Sequence, residues 1–447
     1  MFSKKFDLKI ENKIKAFNKS INVDADKSIS IRSLLISSIS HNCSSIENIL
    51  ESEDVNSCFK CIKKLGIKIK KENKKYLVYG KGLGSLSGKK NILLNFGNSG
   101  TLTRLLIGIL ATTPNINIRM KGDHSLNKRS MKTLINIMSK FGASFYPKNK
   151  YHLPLKLISS NLPVGIKFNA GVSAQIKSAV IFAGLNSFGD TKIIETFKSR
   201  DHTENMLIHN RQSIKIQRAK KNIIKIFGKK NLKNFKIKVP GDPSSAAFFV
   251  AITILNNSSK IRIKDVGLNP TRIGFYNLLK KYGAKIKFTN IKKNNNELRG
   301  DIIVNSCKIK PIYASKDYYV NSTDEYPILF VIAALTKGIS IFRGIKDLAN
   351  KESNRILEMQ KILKQLGIKS LADKDSFKIY GKGKIDAEGK KINVANLGDH
   401  RICMSAFVLA SITGAKAKIK NFETVFTSAP NFLNKMKLLG AKFDIQK

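Results

Sequence analysis

A recurring pattern of hydrophobic and polar positions runs along the chain. In five places, apolar residues at helical spacing end in a glycine, after which apolar and polar residues alternate. Glycine readily adopts the left-handed conformation that ends many helices, and alternation is typical of a half-buried strand. The pattern therefore predicts helix–glycine–strand junctions at Lys64–Ile69, Lys140–Phe145, Lys281–Ile286, Gln365–Lys369 and Leu438–Phe443.

The spacing of these junctions predicts repeated α/β units. Successive copies lie roughly 70 to 85 residues apart, except for one interval of double length between Gly142 and Gly283. A sixth, degenerate copy is expected near Arg211, which stands where the other copies have glycine. The Lys-rich stretch from Ile214 to Lys238 is expected to form strands and turns.

Six units of one size divide most simply into two domains of three units each. Two prolines and a glycine interrupt the pattern at Val239–Pro243, which indicates a boundary. We therefore predict a first domain at residues 22–240 and a second domain at residues 1–21 plus 241–447.

Strongly apolar segments predict buried helices, and polar motifs stand in front of them. Two further helix starts are expected at Asn269-Pro270 and Ser428–Pro430, where a capping residue precedes a proline. Free backbone N–H groups at a helix start favour anions, so the recurrence of polar motifs there indicates one anion-binding cleft. The apolar helices are predicted at residues 33–39, 105–110, 244–255, 328–335 and 402–410.

The charge balance changes this picture less than its size suggests. The chain has 81 Lys and Arg residues against 31 Asp and Glu residues, a net charge of +50. Lysine is spread through predicted helices, strands and loops alike, which is typical of a compositional bias. Single-stranded nucleic-acid binding would also need aromatic residues among the basic ones, and the chain has no Trp. We expect no specific nucleic-acid partner.

The remaining composition favours a soluble protein without a metal or an organic cofactor. No apolar run is long enough to span a bilayer, and residues 1–10 do not resemble a secretory signal, so we expect a cytoplasmic protein without membrane contact. Five scattered cysteines are expected to be reduced. Cys58 and Cys61 have ligand-like spacing, but no second pair accompanies them and they lie in a predicted amphipathic helix.

The motifs themselves offer groups suited to phosphate and carboxylate. Lys27, Ser28 and Arg32 supply an ammonium, a hydroxyl and a guanidinium around a helix start. Gly97–Arg104 is a small-residue turn that lets a ligand approach the backbone, without the spacing of a Walker or dinucleotide loop. Arginine is scarce in this chain, and its planar fork binds phosphate and carboxylate in two-pronged fashion. Further motifs of this kind are Gly122–Arg129, Ser173–Ser178, Arg200–Thr203, Ser322–Pro327, Lys351–Arg355 and Asp399–Arg401.

In order and content, these motifs resemble those of the 5-enolpyruvylshikimate-3-phosphate synthase family over nearly the whole chain. The Ser-Ala-Gln and Arg-Asp-His-Thr forms resemble the bacterial subgroup called class II. The resemblance implies a two-domain α/β enolpyruvyl transferase fold, an inside-out α/β barrel with three βαβαββ repeats in each domain and the active site in the cleft between them. The chain departs from the family at Asp24-Ala25 (usually Pro-Gly), Ile31 (often His), Ser130 (Pro) and Asn354 (Asp).

The resemblance also implies a reaction and its residues. The enolpyruvyl group of phosphoenolpyruvate is transferred to the 5-hydroxyl of shikimate 3-phosphate, and phosphate is lost. Asp324 is the expected proton acceptor and Glu352 the expected donor to carbon, with Lys27 a competing candidate for either transfer. The residues implied for phosphoenolpyruvate are Lys27, Gly100, Arg129, Gln175, Arg355 and Arg401. Those implied for shikimate 3-phosphate are Lys27, Ser28, Arg32, Ser173, Ala174, Gln175, Arg200, Asp324 and Lys351.

The nearest alternative is the sister enzyme, UDP-N-acetylglucosamine enolpyruvyl transferase, which shares the fold type. That family uses a loop cysteine and a Lys-Asn pair near the N-terminus. Here Lys27 is followed by Ser28, and the expected loop at Lys121–Arg129 contains no cysteine. These differences favour the shikimate enzyme, which we expect to be a monomer that binds its two small-molecule substrates.

Overall fold

The structure is a computed structural model and describes residues 5–88, 92–218 and 221–446. Strands and helices alternate along these residues, as the α/β prediction requires. The strands are β1 (Asp7–Ile10), β2 (Asn18–Asn22), β3 (His41–Glu47), β4 (Lys68–Glu72), β5 (Lys75–Lys81), β6 (Leu93–Asn95), β7 (Asn117–Lys121), β8 (Ser144–Tyr146), β9 (Leu155–Ile158), β10 (Lys167–Ala170), β11 (Asp190–Glu195), β12 (Ile214–Arg218), β13 (Asn222–Phe227), β14 (Lys236–Lys238), β15 (Lys260–Gly267), β16 (Ile286–Asn294), β17 (Glu297–Asn305), β18 (Tyr313–Ala314), β19 (Gly338–Arg343), β20 (Ser370–Ala372), β21 (Ser376–Gly381), β22 (Lys391–Val394), β23 (Lys416–Ile419) and β24 (Asp444–Gln446).

The helices alternate with these strands. The α-helices are α1 (Lys27–Ile39), α2 (Glu53–Lys64), α3 (Gly100–Leu110), α4 (His124–Lys128), α5 (Lys132–Lys140), α6 (Ala174–Leu185), α7 (His202–Leu207), α8 (Pro243–Leu255), α9 (Gly274–Lys281), α10 (Tyr319–Ser322), α11 (Tyr326–Ala334), α12 (Arg355–Gln365), α13 (His400–Thr413) and α14 (Phe432–Leu438). Short 3₁₀ turns lie at Lys316–Tyr318, Lys346–Asn350 and Phe422–Thr427.

The described residues form two compact units, each with its own hydrophobic core. The mid-chain unit consists of Ala25–Val239 and Lys293–Glu297. The terminal unit consists of Met1–Asp24, Pro240–Lys292 and Leu298–Lys447.

Six four-stranded sheets of the described residues share one plan. In each sheet the first strand pairs in parallel with the second, and the second pairs antiparallel with the third. Three sheets are built from strands that follow one another along the chain in the predicted βαβαββ order. The mid-chain orders are β14-β3-β5-β4, β6-β7-β9-β8 and β10-β11-β13-β12, and the terminal orders are β2-β15-β17-β16, β18-β19-β21-β20 and β22-β23-β1-β24.

The most apolar helices are buried on nearly every side. In the mid-chain unit α3 packs against α1 and α6, and in the terminal unit α8, α11 and α13 pack against one another. A helix that is apolar all round is typical of such complete burial, whereas the amphipathic helices α2, α5 and α9 expose one face. Buried helices combined with surrounding sheets give each unit the inside-out α/β plan.

The five helix–glycine–strand junctions are confirmed. Each glycine follows a helix, precedes a strand and has a left-handed φ, from +72° at Gly367 to +98° at Gly283. The degenerate sixth copy is also confirmed, because α7 ends at Leu207 and β12 begins at Ile214. Arg211 lies in a turn between them without a positive φ.

Several helices begin earlier than predicted because a polar residue caps an additional turn. The side chains of Asp26 and Ser99 accept hydrogen bonds from the backbone N–H groups three residues later, so α1 and α3 include the polar motifs themselves. The side chain of Asp399 accepts from the N–H of Arg401 and caps α13 in the same way. Most residues of these three motifs thus lie inside the helix starts and not before them.

Three local predictions are wrong. The helix start expected at Asn269-Pro270 is instead a turn, in which the Asn269 side chain accepts from Thr271, and α9 begins at Gly274. Pro430 precedes the capping residue of α14, which begins only at Phe432. The segment expected as a loop between Lys121 and Arg129 contains the short helix α4.

Candidate functional site

Most of the residues predicted to bind ligands in the mid-chain unit lie at the starts of its buried helices. The amide Nε2 of Gln175 donates a 3.0 Å hydrogen bond to Thr101 Oγ1, which brings the starts of α6 and α3 together. Helix starts expose backbone N–H groups and the positive end of the helix dipole, so they favour anions. The predicted residues placed there are Lys27 and Ser28 on α1, Gly100 on α3, the capping residue Ser173 of α6, and Ala174 and Gln175 on α6.

Gly100 lies beside two guanidinium groups. A Cβ atom at this position would stand 2.8 Å from Nη1 of Arg104 and 3.1 Å from Nη1 of Arg129. Arg104 Nη1 also donates to Gln175 Oε1 at 2.8 Å. The structure therefore brings together Gly100, Arg129 and Gln175, three residues predicted for phosphoenolpyruvate. Arg104 was not among the predicted ligands, although a scarce arginine one helical turn after Gly100 was a usable signal.

Arg32 connects the start of α1 to the segment that carries Arg200. Its guanidinium is buried and donates through Nε to Thr203 Oγ1 at 2.9 Å and through Nη1 to the carbonyl of Ser28 at 3.1 Å. Thr203 lies on α7, which begins directly after Arg200 and Asp201. Lys27 forms a separate ion pair, 3.0 Å from the buried carboxylate of Asp54.

A fully buried lysine, Lys177, was not assigned a role in the sequence analysis. Its ammonium lies 2.8 Å from Glu195 Oε1 and 2.6 Å from Glu204 Oε1, and all three side chains are almost fully buried. Burial by itself lowers the pKa of Lys177, but the carboxylates of Glu204 and Glu195 outweigh that effect and the pKa is raised. Lys177 is therefore charged at neutral pH.

In the terminal unit, Arg355 is the centre of a cluster of carboxylates. Its guanidinium donates through Nε to Asp399 at 2.9 Å and through Nη2 to Glu352 at 2.8 Å. Nη1 lies 3.9 Å from Asp324 Oδ1. Burial alone would lower the pKa of Arg355, yet Asp399 and Glu352 outweigh it and raise the pKa. The predicted residues Asp324, Glu352 and Arg355 are thus brought together, and Asp399 was the partner that the sequence analysis did not assign.

Among the buried guanidinium groups of the terminal unit, two that belong to predicted ligands keep N–H groups that make no hydrogen bond within the described part of the chain. These are Nη1 of Arg355 and both Nε and Nη1 of Arg401. A buried donor left unsatisfied costs about 1–3 kcal/mol, and more when it is charged. Buried polar groups in proteins are otherwise nearly always paired. An anionic ligand is the kind of partner that could accept hydrogen bonds from these guanidinium groups.

A four-residue spacing such as that of Lys351 and Arg355 predicts a shared helix face, but Lys351 lies outside α12. It follows the 3₁₀ turn Lys346–Asn350 with extended backbone, whereas Arg355 is the first residue of α12, so the two do not share a helix face. The ammonium of Lys351 instead pairs with Asp347 at 2.7 Å, and the hydroxyl of Tyr319 donates to the same carboxylate at 2.9 Å. Lys351 is therefore oriented by Asp347 and Tyr319.

The cysteine pair Cys58 and Cys61 lies on the amphipathic helix α2, as predicted. Both thiols are buried, and burial raises the pKa of Cys61 to about 12. A thiol that stays protonated is a poor metal ligand.

Comparison with known proteins identifies the family. The family model described as EPSP synthase (3-phosphoshikimate 1-carboxyvinyltransferase) matches residues 11–436. The chain belongs to the EPSP synthase family. It is 37% identical over 432 residues to the 3-phosphoshikimate 1-carboxyvinyltransferase of Zymomonas mobilis, covering 95% of this chain and 94% of that protein. It is 38% identical over 419 residues to the enzyme of the same name from Petrotoga mobilis, covering 93% and 95% of the two chains.

Solved structures place the fold in the same family. The EPSP synthase from Acinetobacter baumannii has a TM-score of 0.85 and 31% identity, with 99% of this chain and 100% of that chain covered. The enolpyruvyl transferase NikO from Streptomyces tendae has a TM-score of 0.76 at 12% identity, covering 99% of each chain, which shows a shared fold. No helix among the described residues of this EPSP synthase family member is both long and apolar enough to cross a membrane.

Proposed function

We propose that this protein transfers the enolpyruvyl group of phosphoenolpyruvate to the 5-hydroxyl of shikimate 3-phosphate and releases inorganic phosphate. The observation that carries this proposal is the Arg355 cluster. A buried guanidinium there holds Asp324, Glu352 and Asp399 and retains an N–H that makes no hydrogen bond among the residues that the structure describes. Such a cluster combines carboxylates for proton transfer with a fork for an anionic substrate. Membership of the EPSP synthase family supports the same reaction.

The assigned residues form two overlapping sets, one for each substrate. Both substrates carry a phosphate and a carboxylate, so binding them requires several cations and N–H donors. We assign phosphoenolpyruvate to Lys27, Gly100, Arg129, Gln175, Arg355 and Arg401, and shikimate 3-phosphate to Lys27, Ser28, Arg32, Ser173, Ala174, Gln175, Arg200, Asp324 and Lys351. Arg104, which contacts Gln175, joins the first set as a residue that holds this amide in place.

The chemistry consists of an addition followed by an elimination. The 5-hydroxyl oxygen forms a bond to the enolpyruvyl C2, its proton passes to Asp324, and a proton is added to the methylene carbon. The resulting tetrahedral intermediate still carries the phosphate. Loss of a proton from the methyl group then restores the double bond as the C–O bond to phosphate breaks. Glu352 is our donor to carbon, and Lys27 remains the competing candidate for either transfer.

We further propose that the enzyme is a cytoplasmic monomer. Five free cysteines support a reducing compartment, and both sets of assigned residues come from one chain. Light scattering coupled to size-exclusion chromatography should give the mass of one chain, and a dimer mass would contradict the assignment.

The reaction is tested by measuring phosphate release from purified protein. Release should require both phosphoenolpyruvate and shikimate 3-phosphate, and omission of either should abolish it. Release without the shikimate substrate would indicate a phosphatase. Release that occurs only with UDP-N-acetylglucosamine would assign the protein to the sister activity and overturn the proposal.

A further inference from the structure

The backbone on either side of Arg200 is fixed by one buried charge network. On the N-terminal side, Glu195 Oε1 accepts hydrogen bonds from the N–H of Ser199 at 2.9 Å and from its hydroxyl at 2.8 Å. The same oxygen accepts from the ammonium of Lys177 at 2.8 Å. The residue immediately before Arg200 is therefore tied to Lys177 through a single carboxylate.

On the C-terminal side, the network reaches Arg200 through α7. Glu204 pairs with Lys177 at 2.6 Å, and Thr203 Oγ1 lies 2.8 Å from the hydroxyl of Ser178. Lys177 and Ser178 are neighbours on the second turn of α6. Both anchors of the Arg200 segment thus come from α6, whose capping residue is Ser173 and whose first turn contains Gln175.

Burial of this charge network opposes folding, because its ions lose their contact with water. Moving an ion from water into a protein interior costs several kcal/mol, and apolar residues of similar volume often pack there with equal or greater stability. Here one cation and two carboxylates are buried, and Glu204 Oε2 makes no hydrogen bond within the described residues. Hydrogen bonds fix distances and angles, which apolar contacts do not, so the network suits a segment whose exact placement matters.

We propose that Lys177 is a positioning residue, which sets the Arg200 guanidinium at the correct distance from Ser173 and Gln175 to receive the phosphate of shikimate 3-phosphate. The inference rests on the proposed function, because it needs shikimate 3-phosphate as the ligand. Arginine binds phosphate through a planar, bidentate fork, and a misplaced fork loses one of its two hydrogen bonds. Disturbing the network should therefore weaken recognition of the phosphate and leave the rest of the substrate's contacts in place.

Two conservative variants test this proposal while keeping Lys177 in the network. Ser199→Ala removes one hydrogen bond to Glu195, and Glu195→Gln removes one buried charge while keeping an acceptor. Lys177→Met is the direct variant, but it leaves two buried carboxylates uncompensated and is expected to destabilise the fold. Lys192→Met is the matched control, because Lys192 is an exposed lysine on the neighbouring strand β11.

The readout compares calorimetric binding of shikimate 3-phosphate and of shikimate, which lacks the phosphate, beside steady-state turnover. In both conservative variants we expect the KM and the Kd for shikimate 3-phosphate to rise about tenfold, the loss of roughly one good hydrogen bond to a charged group. The Kd for shikimate, kcat and the KM for phosphoenolpyruvate should stay within about twofold of the wild type, since these contacts do not involve the Arg200 fork. Lys192→Met should match the wild type.

Three results separate the possible failures. Equal weakening of shikimate and shikimate 3-phosphate would show a general structural role and overturn the positioning role. Wild-type affinity for shikimate 3-phosphate in both conservative variants would overturn it as well. Absence of turnover in the wild-type protein would instead refute the proposed function.

Discussion

Replacing Asp324 by Asn tests the proposed proton acceptor most directly. The amide keeps the size and hydrogen-bonding capacity of the carboxylate but removes its basicity. Loss of a general base typically lowers turnover by about 10²-fold or more, which we expect here. Binding of shikimate 3-phosphate should change far less, because the amide oxygen still accepts a hydrogen bond from the 5-hydroxyl.

The cost of this substitution to stability is set by Arg355. Two unit charges 3.9 Å apart, the separation of Asp324 Oδ1 and Arg355 Nη1, attract by about 4 kcal/mol at an effective dielectric constant of about 20. Solvent reaches about a quarter of the Asp324 side chain, and Arg355 keeps its hydrogen bonds to Asp399 and Glu352. We therefore expect a net loss of only about 1 kcal/mol, with Tm lower by about 2–4 °C.

The assay is turnover by phosphate release at saturating substrates, beside calorimetric binding and thermal unfolding, for Asp324→Asn and Glu352→Gln separately. Asp317→Asn is the control, because Asp317 is an exposed aspartate seven residues earlier in the same unit. Near-normal turnover of Asp324→Asn would eliminate Asp324 as the base. Lost binding with intact turnover at saturation would make it a residue that positions the substrate.

Three further predictions follow from the contacts. Gly100→Ala places a methyl group against the guanidinium groups of Arg104 and Arg129. The KM for phosphoenolpyruvate should therefore rise about tenfold with little change in Tm, as expected for the loss of one hydrogen bond to a charged group. An unchanged KM would argue against the site, and Gly171→Ala, whose Cβ meets nothing within 4 Å, is the control. In Arg355→Lys the ammonium group cannot reproduce the two-pronged contact of the guanidinium with Asp399 and Glu352, so kcat/KM for phosphoenolpyruvate should fall by about 10²-fold or more, which is about 3 kcal/mol. Arg343 is exposed, and Arg343→Lys should have the kinetics of the wild type. Equal kinetics in both variants would contradict the role of Arg355. Burial raises the pKa of the Asp24 carboxyl in the folded protein above its usual 3.8, so protonation of Asp24 favours the folded state. The stability that Asp24 contributes is therefore fully present below its pKa in the unfolded chain and is lost as the pH rises through its pKa in the folded protein. Urea unfolding should therefore show the wild type gaining stability relative to Asp24→Asn as the pH is lowered from 7 towards 4, and a difference independent of pH would refute this.

The sequence alone determined the features that depend on neighbouring residues. The glycine at each helix–strand junction was predictable because a left-handed residue ends a helix with little strain when it has no side chain. The buried helices were predictable because their apolar residues leave no polar face. The motifs also indicated anion binding, since the residue types that bind phosphate and carboxylate are few. The start of α9 was predicted at the wrong residue because an Asn side chain such as that of Asn269 can accept a backbone hydrogen bond either in a turn or at a helix cap.

Only the tertiary structure decided which distant residues meet. The sheets that contain β14, β2 and β1 each combine a strand with partners far away along the chain, and no local pattern specifies such a pairing. Asp399 and Arg355 are separated by 44 residues, and Arg104 and Gln175 by 71, so their hydrogen bonds exist only because buried helices bring them together. Lys177 is a charged residue in an otherwise apolar helix, and only the fold places Glu195 and Glu204 beside it. A buried charge is tolerated only where partners surround it, and the fold, which is set by the packing of the whole unit, supplies those partners.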